Sequence, residues 1–395
     1  MSNVVPDATE PVAKIGDLAA SAGVRRVHVL AWRDLDDVEA GGSEVHIAEV
    51  ARRWAAAGVE VTMRTSWAQG QPTEAVRDGY RVIRRAGRHM VFPRAALAEL
   101  LGRTGPRDVL VEIWNGMPFL SPLWNRGPRV VLLHHVHAEM WDMTLGDRLG
   151  PLGRAFESTV APPLYRGSAV ATLSESSKRE LVEELGFRSD RVTVVHPGID
   201  ARFSPGGRRS PHPMVVAVGR LAPVKRYDAL VRAAHHARAR VPDLRLVIVG
   251  EGYEKPRIEA VVEELGAGDW VTLRGHVTHD ELVELYRTTW IVASASAREG
   301  WGMTLTEAAA CGTPAVATRI AGHADAVRDG RSGLLAGPDP ASLGDAMASV
   351  LGDDDLRARL SAGARAWASE LTWSHTATEL MRVVADEVAR HRTRR

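Results

Sequence analysis

The chain of 395 residues is too long for one ordinary hydrophobic core and long enough for two domains, each able to bury a sizeable interior. With 45% hydrophobic and 25% charged residues, and no run near the roughly 18 apolar residues that span a bilayer, it reads as a soluble globular protein and not as an integral membrane protein. A net charge of +1 gives no global field to recruit nucleic acid, and a single cysteine, Cys311, excludes an intrachain disulfide and suits the reducing cytoplasm.

Residues 1–23 carry acidic and proline residues where a secretion signal would carry positive charge and then an apolar block, so this stretch reads as a flexible arm. From Val24 onward, short β-branched runs alternate with amphipathic stretches, the signature of parallel strands with crossover helices. Strands are expected at 27–31, 59–65, 81–83, 109–113, 130–133, 169–172 and 192–195, with a helix over 43–57 that ends at Gly58. Residues 201–213, rich in glycine, proline, arginine and serine, have the composition of a linker between an N-terminal domain (24–200) and a C-terminal one (214–372). In the second series strands are expected at 215–218, 246–249, 271–273, 291–293 and 315–317, and Thr278 with Glu281 forms a capping box for the next helix. A last helix, within 373–395, has either domain as its packing partner. The fold class is therefore α/β, two doubly wound Rossmann-like domains, with strand ends facing one another across a cleft as the default ligand site.

Residues 298–314 carry the most specific pattern. Glu299, Gly300, Trp301, Gly302, Met303 and Thr304 lead from a strand into a helix that holds Glu307 and ends near Gly312 and Pro314. Amides at a helix start carry roughly half a positive charge, so Gly300 and Gly302 make a seat for phosphate. Ionised Glu299 and Glu307 suit the vicinal hydroxyls of a sugar or ribose, because a carboxylate only accepts hydrogen bonds and does so in two forks. Glu307 also fits a plain capping box with Thr304. Gly41 and Gly42 precede a helix and let amides approach a phosphate, or simply make a tight turn. Gly250 and Gly252 form a lone Gly-x-Gly, with Lys255 where a dinucleotide fingerprint needs a third glycine. His134, His135 and His137 end a strand, but a metal would need further convergent ligands, and none is expected. Asp34 and Asp36 match the Asp-x-Asp of metal-dependent sugar transferases of another fold, as any short acidic loop does.

The Glu299 and Glu307 spacing, followed by Ala308 through Pro314, resembles the Glu-x7-Glu segment of the retaining glycosyltransferases of family four (glycosyl transferases group 1), which have the GT-B fold. The likeness runs from about Val24 to Trp373 and is strongest in the C-terminal half. It implies that Gly219, Arg220 and Lys225, after the first strand of the second domain, hold a sugar donor's diphosphate. It also implies that Gly250 and Gly252 line the donor pocket, that His276 and Val277 lie against the nucleobase, and that one of His134 or His135, with a slight preference for His134, sits near the reacting sugar. His137, Glu139 and Trp141 would then face the acceptor.

The expected activity is thus transfer of a sugar from a nucleotide-diphosphate sugar, as co-substrate and without metal or cofactor, to the hydroxyl of a glycan, glycolipid or small molecule. Arg220, Lys225, Glu299 and the histidine would form the reacting centre. A nucleotide-sugar epimerase of the same fold and a noncatalytic sugar-binding protein are the rival readings. Residues 81–107 gather Arg81, Arg84, Arg85, Arg88, Arg94, Arg103 and Arg107 around Met90, Val91, Phe92, Leu97, Leu100 and Leu101. That pattern is either a peripheral contact with the anionic inner face of a membrane or a solvated helix face over core.

Overall fold

The computed structural model describes residues 9–138 and 140–394, and they divide into two compact units, 1–198 with 372–395 and 199–371. In the first unit, β1 (Arg26–Leu30), β2 (Glu60–Thr65), β3 (Glu74–Arg77), β4 (Tyr80–Arg84), β5 (Val109–Trp114), β6 (Arg129–Leu133), β7 (Ala169–Thr172) and β8 (Val192–Val194) form a sheet ordered β3-β4-β2-β1-β5-β6-β7-β8. All neighbours are parallel except β3 with β4. The central β5 is buried along its whole length, as a parallel strand covered on both faces must be. Its helices are α1 (Thr9–Ser21), α2 (Gly42–Ala56), α3 (Val91–Leu100), α4 (Ser121–Trp124), α5 (Met140–Ala155), α6 (Ala161–Tyr165), α7 (Glu175–Glu183) and, from the far end of the chain, α15 (Trp373–Thr393).

α15 places Ala377, Leu380, Met381, Val384 and Val388 on one buried stripe at helical spacing. The indole of Trp54, on α2, donates to Ala377 O at 2.9 Å. The arm expected over 1–23 is a helix from Thr9 to Ser21: α1 buries Ile15 and Ala19, one turn apart, and packs on α15. Residues 1–8 of that arm lie outside the described residues.

The second unit holds β9 (Met214–Val218), β10 (Arg245–Val249), β11 (Val271–Gly275), β12 (Ile291–Ser294), β13 (Ala315–Thr318) and β14 (Gly333–Ala336), all parallel, in the order β11-β10-β9-β12-β13-β14. Between and after them run α8 (Tyr227–Arg238), α9 (Lys255–Glu264), α10 (His279–Thr288), α11 (Met303–Ala310), α12 (His323–Ala326), α13 (Pro340–Gly352) and α14 (Asp354–Ala368). One cluster packs Val215, Ala217, Leu246 and Ile248 with Leu230 of α8 and Met347 of α13; another packs Val292 and Ala315 with Tyr286 of α10 and Leu305 of α11. The capping box expected at Thr278 and Glu281 is formed, Thr278 N–H donating to the Glu281 carboxylate at 2.8 Å.

The segment 201–213 has no regular structure, yet it is packed into the second unit. Phe203 packs against Tyr286, the tilted rings 5.8 Å apart at their centroids, and the Arg209 guanidinium donates to Arg287 O at 3.1 Å and Gly312 O at 2.5 Å. Its composition marks the absence of helix and strand, not the absence of contacts. Trp54→Ala should destabilise the first unit by about 3–5 kcal/mol, and Trp54→Phe, which loses the bond to α15, by about 1 kcal/mol, as read from the unfolding midpoints of the variants in urea.

Candidate functional site

The residues singled out in the second half of the sequence collect at the carboxyl ends of parallel strands, the edge at which open α/β sheets bind ligands. Gly219, Arg220 and Lys225 follow β9, Gly250 and Gly252 follow β10, His276 and Val277 follow β11, and Glu299 through Thr304 follow β12. Backbone bonds lace these loops together: Gly219 N–H to Val249 O at 3.0 Å, Gly250 N–H to Gly275 O at 2.9 Å, and Leu221 N–H to Glu251 O at 2.9 Å. The lacing explains the Gly-x-Gly. A Cβ on Gly250, whose φ is +136°, would lie 2.0 Å from Gly219 O, and one on Gly252 would lie 2.3 Å from Leu221 O. Val277 packs against Val216, Val249 and Leu285, while His276 is exposed.

Lys225, at the end of a single 3-10 turn, reaches the loop after β12 and donates to Glu299 Oε1 at 2.5 Å. Ser296 Oγ donates to the same oxygen at 2.8 Å, and Ala297 N–H to Val224 O at 2.8 Å. Burial alone would raise the Glu299 pKa; the charge of Lys225 and the side-chain hydrogen bonds from Lys225 and Ser296 outweigh it and hold the carboxyl at about 2. Glu299 is therefore ionised. Arg220 is exposed and, among the described residues, has no ion pair.

Gly302, in the left-handed region at φ +104°, is the N-cap of α11, so the amides of Met303 and Thr304 open the helix. That placement removes the capping-box reading of Thr304 and Glu307, because Glu307 falls in the second turn. Tyr286 Oη donates to Glu307 Oε2 at 3.3 Å, but burial dominates and pushes the carboxyl up to about 7. Gly300 is buried, and Trp301 is only 2% exposed, its ring 6.5 Å from that of Trp367, so the tryptophan anchors the loop from inside.

In the first unit His134 and His135 follow β6. The His134 ring is buried beside His46 of α2, centroids 5.2 Å apart, and His46 lies 5.4 Å from the Trp373 ring. Among the described residues none of the four ring nitrogens of His46 and His134 has a hydrogen-bond partner, and burial keeps both imidazoles neutral, His46 down at about 3. His135 is half-buried and stacks on His137 at 4.6 Å. Glu157 fixes the loop they stand on, accepting from the His137 and Ala138 amides at 3.0 Å and from the Trp141 indole at 2.9 Å. Glu139 lies outside the described residues. Gly41 caps α2, which Gly42 opens, and its amide donates to Glu44 at 2.8 Å; a carboxylate of the chain itself thus occupies that helix start.

Asp34 and Asp36 are not disposed as metal ligands. Arg77 donates to Asp34 at 2.6 Å and to Asp36 at 2.5 Å, and Arg84 binds both carboxylates. Among the described residues no group of three or more His, Cys, Asp or Glu is arranged to hold a metal. Sequence reasoning missed His46 and His323. The first was findable as a polar residue four positions from Gly42 and from Val50, on the apolar face of α2; the second opens the short helix α12 after β13, where only the strand-end rule flags it.

The Glu307 pKa of about 7 lies above the ordinary 4.5, so folding disfavours its ionisation. Stability contributed by this group is full below about pH 4.5 and declines as pH rises to about 7. Glu307→Gln, which cannot ionise, should stabilise the second unit relative to the parent at about pH 8 and not at about pH 4.5, measured by urea unfolding at the two values.

Residues 199–367 match the family described as Glycosyl transferases group 1, and residues 40–203 match Glycosyltransferase Family 4. The D-inositol 3-phosphate glycosyltransferase of Acidothermus cellulolyticus is 33% identical over 395 residues, covering 90% of this chain and 88% of the relative. Among solved structures, sucrose-phosphate synthase from Thermosynechococcus elongatus aligns with a TM-score of 0.77 at 20% identity, over 90% of this chain and 97% of its own. Anabaena HepE, in complex with UDP-glucose, aligns at 0.70 and 18% identity, over 90% and 98%. These two structures speak for the fold, two α/β domains with parallel sheets, and the sequence relatives for the family. The chain belongs to the family-four, group 1 glycosyltransferases of GT-B fold, and is a glycosyltransferase.

Proposed function

We propose that this enzyme takes its sugar from a nucleotide-diphosphate sugar bound at the strand ends of the second unit, and transfers it with retention of anomeric configuration, without a metal, to an acceptor hydroxyl. The observation that carries the reading is the convergence of an exposed, unpaired Arg220, Lys225, an ionised Glu299 and the amides that open α11 on one sheet edge. When the bond from the anomeric carbon to the diphosphate breaks, negative charge develops on the departing phosphate. Arg220 and Lys225 supply fixed positive charge there, worth more in the transition state than in the ground state. The acceptor's proton passes to an oxygen of the leaving diphosphate as the new glycosidic bond forms. Glu299 and Glu307 take hydroxyls of the sugar and the ribose. Of the histidine doublet, we assign the substrate-facing role to His135, which is half-buried, whereas the His134 ring is buried and packed edge-on against His46 inside the first unit. The UDP-glucose of the Anabaena structure supports a nucleotide sugar as donor, and the name of the Acidothermus relative puts inositol 3-phosphate among the acceptors to assay.

Calorimetric titration with UDP-glucose, UDP-N-acetylglucosamine, GDP-mannose and ADP-glucose should find at least one that binds. Arg220→Ala should weaken that nucleotide sugar by about 10-fold or more and slow transfer, as loss of a charged hydrogen bond predicts. Absence of binding across the panel, or an Arg220→Ala enzyme with unchanged transfer, would overturn the assignment.

The basic segment 81–107 is smaller in the structure than in the sequence. Arg81 and Arg85 pair with Glu74, Arg84 with Asp34 and Asp36, Arg88 with Asp37 and Glu39, and Arg107 with Glu99. Arg94 and Arg103 remain exposed and, among the described residues, have no ion pair. Around them Met90, Leu97, Leu100 and Leu101, each more than half exposed, line one side of α3, and Leu123 of α4 is exposed as well. Among the described residues no helix is long and apolar enough to cross a membrane. Free arginines set among exposed leucines fit an anionic lipid surface, and we read α3 as a peripheral contact. The protein should sediment with phosphatidylglycerol vesicles, release in high salt and ignore phosphatidylcholine vesicles; Leu97→Asp with Arg94→Ala should abolish sedimentation. Equal behaviour with both lipids would refute the contact.

A further inference from the structure

His323 opens α12 after β13 and is completely buried. The residue before it is held close to the site: a Cβ on Gly322 would lie 2.4 Å from Glu299 O. The Nδ1 of His323 lies 3.0 Å from Thr318 O, and since a carbonyl only accepts, Nδ1 carries the proton. Thr318 cannot supply a donor in return, because its hydroxyl gives its hydrogen to Ser296 O at 2.6 Å. That leaves Nε2 as a bare acceptor, and it is buried with no hydrogen-bond partner among the described residues. Its position is informative. A Cβ placed on Gly302, the N-cap of α11, would lie 3.1 Å from Cδ2 of His323 and 3.5 Å from Nε2, so this edge of the ring faces the start of the helix.

A buried acceptor without a partner is costly, and only a hydrogen-bond donor satisfies it. The phosphates of a sugar nucleotide offer acceptor oxygens and would meet the lone pair with lone pairs. Hydroxyl groups donate. Burial lowers the pKa of the imidazole against the opposing charge of Glu299, with Lys225 adding to the lowering, which keeps Nε2 in its accepting form. We propose that His323 is a specificity-determining residue of the sugar site, its Nε2 accepting a hydrogen bond from a hydroxyl of the transferred sugar seated at the start of α11. The inference rests on the nucleotide-sugar reading above and deepens it: the diphosphate takes Arg220, Lys225 and the amides, and the sugar takes two acceptors, Glu299 and His323.

The test compares the parent enzyme with His323→Leu and His323→Gln by calorimetry, using the nucleotide sugar that binds best among UDP-glucose, UDP-N-acetylglucosamine, GDP-mannose and ADP-glucose. The matching nucleoside diphosphate and the monodeoxy analogues of that sugar nucleotide complete the set. His323→Leu should bind the nucleoside diphosphate like the parent and the nucleotide sugar roughly 3- to 10-fold more weakly, the loss expected for one neutral hydrogen bond. His323→Gln, whose amide oxygen stands near the place of Nε2, should recover part of the loss. One monodeoxy analogue should bind the parent as weakly as the full sugar nucleotide binds His323→Leu, and lose nothing further in that variant. Equal weakening of nucleoside diphosphate and nucleotide sugar would show that the ring only supports the loop, and an unchanged His323→Leu would likewise overturn the inference. If the parent binds no nucleoside diphosphate at all, the donor-site reading itself falls, an outcome distinct from failure in the His323 arm alone.

Discussion

Lys225 and Glu299 stand at the carboxyl ends of neighbouring parallel strands, β9 and β12, and each would be expensive to bury there without the other. Their contact requires the two loops to lie side by side, which the Ala297 to Val224 backbone bond secures. With the carboxylate fixed, the chain can turn at Gly302 and start α11 beside it. The pair also sets the charge of the edge. Lysine and glutamate neutralise one another, so the positive character that remains comes from Arg220 and the helix amides. In the proposed reaction a diphosphate need not displace the pair; it needs only to share the Lys225 ammonium, which has three hydrogens to give.

The first unit handles buried charge in the same way and to a different end. Glu112, completely buried on β5, accepts from the Tyr165 hydroxyl at 2.6 Å and from Ser121, and burial pushes its pKa up. Glu157 collects amides of the loop after β6, Glu44 the start of α2, and Asp34 two arginines. Each carboxylate fixes a strand-end or helix-start loop. The nitrogens of His46 and His134, and Nε2 of His323, differ from these carboxylates in having no hydrogen-bond partner among the described residues.

Much of the fold was legible in the sequence because buried parallel strands are continuous β-branched runs, and β1, β5, β6, β9, β10 and β13 have that composition. β3 was not, since an edge strand with one neighbour alternates exposed and half-buried residues and carries little apolar signal. β14, Gly-Leu-Leu-Ala, has no β-branched residue, and α1 draws its stability from α15, hundreds of residues away, which no local window sees. Within the site, Arg220 and Lys225 could be placed only through the family resemblance, and Glu299 also through its spacing from Glu307 at a helix start. What each glycine or tryptophan does there could not. Gly250, Gly252 and Trp301 carry the same letters whether they line a ligand or allow two loops to touch, and only the close approach to Gly219 and Leu221 and the burial beside Trp367 separate the two.

The two glutamates that give the family segment its spacing are unlike in the folded protein. Glu299 faces an ammonium and stays ionised down to about pH 2, while Glu307 faces a phenol and titrates near 7. A hydroxyl donates more strongly to a carboxylate than to a carboxylic acid. If Glu299 takes the sugar and Glu307 the ribose, as proposed, the grip on the sugar is constant across the physiological range while the grip on the nucleoside strengthens as the medium becomes more alkaline. The asymmetry arises because burial raises both carboxyls and only Glu299 has an ammonium, that of Lys225, beside it to reverse the effect; the proposed roles then put the loop before α11 on the sugar and α11 itself on the ribose.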